Sequence, residues 1–282
     1  MIFYCVVLYN KKIDEAITIK NLFECNLDNR KIVVFDNSDK LDFREYNSKY
    51  YNEKIYCLLQ SSDKNVGLSA AYNRILEKLC REFDIENEKQ YVCWLDDDTD
   101  ISPEFLIKQE KAINENYDII VPKIIGQDGI VYSPNEAGKI KNNLVLNNSN
   151  KKISKLKFNA INSCLTVKTS IYSNFKFDEN LFLDQVDQLF FDNLRKRRFS
   201  YKIVDATIEQ SFSQRGAAIG ESYINRFRIR VKDIMQYGRL SPNNNIFYSY
   251  LKNILLGFNF FRKTWKLSYI KIGIISIWSY KK

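Results

Sequence analysis

The segment Tyr91-Val92-Cys93-Trp94-Leu95-Asp96-Asp97-Asp98-Thr99 sets an apolar run directly before three consecutive carboxylates. A short run of this kind reads as a strand buried on both faces, with the acidic triplet at its carboxyl end. Upstream, β-rich runs alternate with helix-patterned segments: Ile2–Tyr9, a helix near Asp14–Cys25, Lys31–Phe35, Lys54–Leu59, and a helix near Ser69–Phe83. This alternation predicts an α/β fold with a parallel, doubly wound sheet. Asn10 follows the first run, Asp36-Asn37-Ser38 closes the second, and Asp96-Asp97-Asp98 follows the strand Val92–Leu95. Ligands of open α/β sheets collect at the carboxyl ends of strands, so these groups are expected to share one site.

Downstream, Ser102 reads as an N-cap and Pro103 as the first position of a helix running to about Asn116. Asp118–Val121 reads as a strand. Gly126 to Lys157, rich in Asn, Lys, Gly and Ser, reads as a mobile loop or flap. Lys157–Val167 then reads as a strand and Asp184–Arg195 as a helix. Beyond about Gly220 the chain becomes helical and basic, with Tyr223–Gly238 and Ile246–Phe261 the clearest segments, and no internal repeat is visible.

With 282 residues, 45% of them hydrophobic, the chain has enough material for one large core and a smaller appendage, which excludes a disordered protein. Lys and Arg outnumber Asp and Glu by 43 to 34, a net charge of +9. The excess concentrates after Arg195 and again after Lys252, which implies an anionic partner: nucleic acid, a phosphate-rich ligand and an anionic membrane all qualify. The six cysteines have no C-x-x-C spacing and read as free thiols of a reducing compartment, and Met1 leads into an apolar run without a basic n-region, so a cytosolic location is expected. The sequence contains no histidine. Acid–base chemistry must therefore use carboxylates, Lys, Tyr or Cys.

Three adjacent carboxylates repel one another unless a cation neutralises them, and hard oxygen ligands suit Mg²⁺ or Mn²⁺. The same triplet also reads as a solvated acidic turn before a helix. Asn65-Val66-Gly67 lies between a strand and a helix, where Gly67 permits close approach to a ligand and Asn65 offers its amide, or where the two simply make a capped loop. Asp184 and Asp187 sit three residues apart at a helix start, able to face one side as catalytic groups or to serve as N-terminal helix carboxylates, whose pKa the helix dipole is expected to hold down.

Taken in order, four motifs resemble those of inverting family 2 glycosyltransferases of the GT-A fold, close to the bacterial rhamnosyltransferase and galactofuranosyltransferase branch. They are Val33-Val34-Phe35-Asp36-Asn37-Ser38, the stretch from Asn65 to Asn73, Leu95-Asp96-Asp97-Asp98-Thr99, and Phe177 to Asp187. The resemblance covers roughly the first 215 residues. It implies a mostly parallel nucleotide-binding sheet flanked by helices in residues 1–215, followed by a helical, basic and aromatic appendage in 216–282. It further implies donor contacts from Asn10, Asp36, Asn37, Asn65, Gly67, Asn73, Asp96 and Asp97, a metal (Mn²⁺ or Mg²⁺) on Asp96 and Asp98, Asp187 as catalytic base and Asp184 lining the acceptor site. Many relatives complete the metal shell with a histidine after the last strand, and Gln210 stands in that place here.

The implied reaction moves a sugar, rhamnose, galactose or galactofuranose, from a UDP or dTDP donor to a hydroxyl of a lipid-linked or polysaccharide acceptor in bacterial surface glycan synthesis. Aromatic and basic residues from Phe247 to Tyr280 suit a peripheral location on the inner face of the membrane, or else packing on the catalytic domain or a homodimer contact. A non-catalytic basic nucleotide- or nucleic-acid-binding protein is the alternative. The acidic triplet fits it poorly, so no nucleic-acid partner is expected. A nucleotidyltransferase would want a Gly-rich loop near the N-terminus, and Met1–Lys12 contains no glycine.

Overall fold

Runs of β-branched and aromatic residues become strands here, and segments with apolar residues three or four apart become helices. In the computed structural model, which describes residues 1–282 apart from 26–27, 63, 87–88, 148–151, 213–221 and 277–282, the elements follow one another as β1 (Ile2–Leu8), α1 (Ile17–Glu24), β2 (Arg30–Asp36), α2 (Leu41–Lys49), β3 (Ile55–Gln60) and α3 (Leu68–Glu82). There follow β4 (Tyr91–Asp96), α4 (Pro103–Asn114), β5 (Ile119–Gly126), β6 (Val131–Ser133), β7 (Asn135–Glu136), β8 (Phe158–Asn159) and β9 (Leu165–Lys168). The chain continues through α5 (Val186–Leu194), β10 (Tyr201–Gln210), α6 (Ser222–Leu240), α7 (Ile246–Thr264) and α8 (Leu267–Ile275).

The described residues form two compact units, each drawn from several stretches of the chain. The first comprises Met1–Pro134, Ala160–Phe177 and Phe199–Gln210. Its sheet has the order β10-β5-β9-β4-β1-β2-β3, with β6 added on β5. The pairs β1–β2, β1–β4, β2–β3 and β5–β10 are parallel, and β9 is antiparallel to both β4 and β5. The sheet is thus mostly parallel and flanked by helices, and β1 and β4 are buried almost throughout. Ser102 caps α4 as expected, its Oγ accepting from the Phe105 N–H at 3.2 Å, with Pro103 next.

The second unit comprises Asn135–Asn159, Asp178–Arg198 and the described residues from Ser211 onward. It contains the small β7–β8 sheet, α5, and the helices α6, α7 and α8. Tyr223, Phe227, Val231, Phe260 and Tyr269 make the core of these last helices, with Phe260 stacked between Tyr223 and Tyr269. Packing therefore explains Phe260 and Tyr269. By contrast Phe247, Leu255, Phe258, Trp265, Leu267, Ile274 and Ile275 are exposed, Trp265 to 80%. Trp278 and Tyr280 lie outside the described residues, as does the expected boundary at 215. No helix among the described residues is long and apolar enough to cross a membrane.

Two expectations need correction. Gly126 to Lys157 is not simply a loop: β6 pairs with β5, β7 pairs with β8, and Val145 and Ile153 are buried. Asparagine, which reads as loop by composition, here replaces apolar contact with amide pairing, as in the 3.0 Å bond from Asn159 Nδ2 to Asn135 Oδ1. Lys157–Val167 is likewise two short strands in two different sheets, separated by a turn in which Cys164 takes a left-handed conformation.

Candidate active site

Register sets the strand ends of the first unit level with one another. Leu8 of β1 pairs with Asp36 of β2, and Val7 pairs with Asp96 of β4. The loops leaving these strands are tied together: the Asn10 N–H donates to Ser38 Oγ at 2.9 Å, and Asn10 Oδ1 accepts from the Asp39 and Lys40 N–H groups, each at 3.2 Å. Asn10 itself is left-handed, a conformation asparagine tolerates. Asp36 is fully buried, and its carboxylate accepts from the Ser38 N–H, Asn47 Nδ2 and Gln60 Nε2 at 3.0, 3.0 and 3.1 Å. Three donors stabilise the buried charge.

Asn37 reaches across to the turn before α3. Its Nδ2 donates to Asn65 Oδ1 and its Oδ1 accepts from the Val66 N–H, both at 2.8 Å, while Asn65 Oδ1 also accepts from the Gly67 N–H at 2.8 Å. Gly67, the N-cap of α3, has φ +85° and ψ 166°, a region open essentially to glycine alone. Asn73 is buried one turn into the helix, with both ends of its amide bonded to the Phe177 backbone at 2.9 Å. It anchors the end of the β9 region.

The acidic turn is asymmetric. Asp97 is paired with Lys11 at 2.7 Å and accepts from the Tyr9 N–H at 3.2 Å. Asp96 Oδ2 accepts from Ser163 Oγ and, at 2.9 Å, from Gln210 Nε2 at the end of β10. Burial raises the Asp96 pKa, with Asp98 and Asp97 adding repulsion. Asp98 is exposed, yet partial burial of its carboxyl and the charge of Asp97 raise its pKa too. Thr18 Oγ1 holds the backbone of the turn, donating toward the Asp96 and Thr99 carbonyls and accepting from the Thr99 N–H.

These residues suit a hard cation in part. Gln210 Oε1 is buried with no hydrogen-bond partner among the described residues, leaving an oxygen for a cation or donor beside two carboxylates of raised pKa. No group of three or more Asp, Glu or Cys among the described residues is arranged to hold a metal unaided. Oxygens from a ligand would have to complete the shell.

The second unit carries the other acidic pair. Asp233 of α6 accepts from the backbone N–H groups of Phe182, Leu183 and Asp184 at 3.0, 2.8 and 2.7 Å, fixing the approach to α5. Asp184 is ion-paired with Arg226 of α6. Asp187 lies in the first turn of α5 and accepts from the Gln188 N–H at 2.7 Å. Contrary to the helix-dipole expectation, the Asp187 pKa is pushed up to about 6: burial outweighs the Gln188 bond, the Asp184 charge adds to the rise, and Lys252 opposes it. Arg195, just past the end of α5, pairs with the buried Asp192, leaving Lys196, Arg197 and Arg198 exposed.

Sequence reasoning missed Lys11, Thr18, Asn47, Gln60 and Ser163. Lys11, just past the first strand end, was the one with a positional signal. The others reach their partners from 11 to 81 residues away and leave no local pattern.

The family model "Glycosyl transferase family 2" matches residues 4–180, more than half of the chain. The chain belongs to glycosyl transferase family 2. No curated protein matches it. Among solved structures, this glycosyltransferase is similar to S. aureus TarS, with 17% identity and a TM-score of 0.51 over 94% of this chain, while spanning only 46% of TarS. It is also similar to TarS 1–349 in complex with UDP-GlcNAc, at 16% identity and TM-score 0.51, covering 98% of this chain and 81% of that one. A third is mannosyltransferase PcManGT from Pyrobaculum calidifontis in complex with GDP-Man and Mn²⁺, at 12% identity and TM-score 0.57, covering 100% and 76%. At these identities the likeness establishes the fold of the glycosyltransferase.

Proposed function

We propose that this family 2 glycosyltransferase is an inverting enzyme that moves rhamnose, galactose or galactofuranose from a UDP or dTDP donor to a hydroxyl of a lipid-linked or polysaccharide acceptor. The observation that carries the reading is the acidic turn: Asp96 is fixed between Ser163 and Gln210 at the level end of β4, beside an unpartnered amide oxygen. Donor binding falls to Asn10, Asp36, Asn37, Asn65, Gly67, Asn73, Asp96 and Asp97, with Ser38 and Asn47 fixing the Asp36 carboxylate. Asp96, Asp98 and Gln210 would hold Mn²⁺ or Mg²⁺, which would supply charge neutralisation for the departing diphosphate. Asp187 takes the proton of the acceptor hydroxyl as the new glycosidic bond forms, and Asp184, held by Arg226, orients the acceptor. Residues 1–215 form the catalytic part.

The exposed apolar residues of α7 and α8 alternate with exposed Arg262, Lys263 and Lys271, which supports residence on an anionic inner leaflet, where a lipid-linked acceptor of surface glycan synthesis resides. A donor-hydrolysis screen tests the reading, run with UDP-, dTDP- and GDP-sugars, with and without Mn²⁺. Hydrolysis of one donor, stimulated by the metal, is the expected result. Inactivity on every donor together with absence of UDP, dTDP and GDP binding would overturn it.

A further inference from the structure

Around Asp184 and Asp187 the second unit gathers more cations than its carboxylates engage. Arg226 and Arg230 lie one turn apart on the same face of α6. Arg226 is committed to Asp184. Arg230 is not committed: its Nε and Nη1 are sealed from solvent and make no hydrogen bond among the described residues. Lys252, on α7, reaches Gln185 Oε1 at 3.3 Å, and Gln185 is the left-handed N-cap residue of α5, two positions before Asp187. Of the three carboxylates here, Asp233 is taken up by three backbone N–H groups and Asp184 by Arg226. Asp187 accepts from the Gln188 N–H.

Two guanidinium nitrogens sealed from solvent and left unfilled are costly unless something fills them. We propose that Arg230 and Lys252 form an anion subsite beside Asp187 that takes a phosphate group of the substrate. A tetrahedral oxyanion fits better than a planar carboxylate, because donors on different edges of one guanidinium and a separate ammonium call for diverging oxygens. Burial, and after it the charge of Arg230, lowers the Lys252 pKa to about 8, and an anion between the two would relieve that repulsion. The subsite stands on the geometry of this unit alone, whereas its assignment to substrate rests on the reading of Asp187 as the base. The phosphate belongs either to the donor diphosphate or to a phosphate-bearing acceptor.

The test is calorimetric binding of inorganic phosphate, pyrophosphate, UDP and glycerol phosphate to the full chain, comparing wild type with Arg230→Gln, Lys252→Gln and Arg228→Gln, the last at an exposed position of α6. Arg230→Gln and Lys252→Gln should each weaken phosphate binding by about tenfold or more, and Arg228→Gln should leave it unchanged. Weakening that extends to UDP and pyrophosphate but spares glycerol phosphate assigns the subsite to the donor; the opposite pattern assigns it to the acceptor. Equal affinities in all four proteins, or an equal loss in Arg228→Gln, would overturn the subsite. Should the variants fail to fold, acylation of wild-type Lys252 decides: phosphate must protect it more than it protects exposed Lys263, and equal protection refutes the proposal. If no sugar nucleotide is turned over and this binding pattern persists, the subsite stands and the assignment to sugar transfer falls.

Discussion

Gln210 donates through Nε2 to Oδ2 of Asp96 at 2.9 Å, while its Oε1 is buried with no partner among the described residues. One amide thus orients a carboxylate and presents an oxygen at the same point. Gln210→Leu removes both functions. It is expected to raise the Mn²⁺ concentration for half-maximal donor hydrolysis by about tenfold to a hundredfold, measured by metal titration at saturating donor.

Asp98→Asn and, to a lesser degree, Asp96→Asn should abolish transfer while the fold stays intact, because each keeps its shape and loses a ligand charge. Activity assays beside circular dichroism and thermal melts check this. Full activity with a normal metal response in both variants would remove the metal from the acidic turn.

Asp187→Asn should lower the acceptor-dependent rate by about a hundredfold to ten-thousandfold and leave donor binding near normal. With a pKa of about 6 for Asp187, wild-type turnover should fall as the pH drops through 6, since the protonated acid cannot accept a proton. Stability runs the other way: an Asp raised from 3.8 to about 6 in the fold stabilises the protein fully below pH 3.8 and loses that contribution as pH rises through 6. Thermal melts should therefore show Asp187→Asn gaining stability relative to wild type between pH 4 and pH 7.5.

Gly67→Ala forces an L side chain onto φ +85°, ψ 166°, at a cost of about 1 to 3 kcal/mol. Donor affinity should fall as well, because Asn37 and Asn65 are braced against this turn. Gly129→Ala supplies the comparison: φ is +72° with open space around it, so chemical denaturation should register a loss and donor titration none.

For the membrane surface, the packing of Phe260 and Tyr269 in the helical core makes truncation after Asn245 a poor test, since it would unmake that core. The double substitution Phe258→Ser and Trp265→Ser touches exposed positions alone. Binding to vesicles containing anionic lipid should drop severalfold in a flotation assay with donor hydrolysis retained, and unchanged flotation would assign these side chains to another contact.

Much of the first unit was legible because its cues are local. Continuous apolar runs gave β1, β2 and β4, Ser102-Pro103 gave the start of α4, and the polar residues after each run gave the strand-end loops. α2 escaped because it buries little, only Asn47 being fully enclosed, so it has no apolar stripe to read. Ser163, a partner of Asp96, escaped for another reason: it arrives from 67 residues away. The pKa of Asp187 was misjudged because desolvation is a property of the assembled fold, whereas the helix dipole shows in the sequence.

β5 and β10 are hydrogen-bonded neighbours, yet Asp118 and Ser200 at their near ends stand 82 residues apart in the chain. During synthesis the edge of β5 must therefore wait, unpaired on that side, while the intervening stretch is made. Parallel pairing at such a separation carries a loop-closure cost that local helices avoid, and it arrives late in folding. Because Gln210 is the last residue of β10, the orientation of Asp96 is among the final events, so a nascent chain has the loops after β1 and β2 before it has a finished acidic turn. Competence is thereby tied to completion of the sheet, and an unfinished polypeptide with an exposed β5 edge is the species that chaperones would meet.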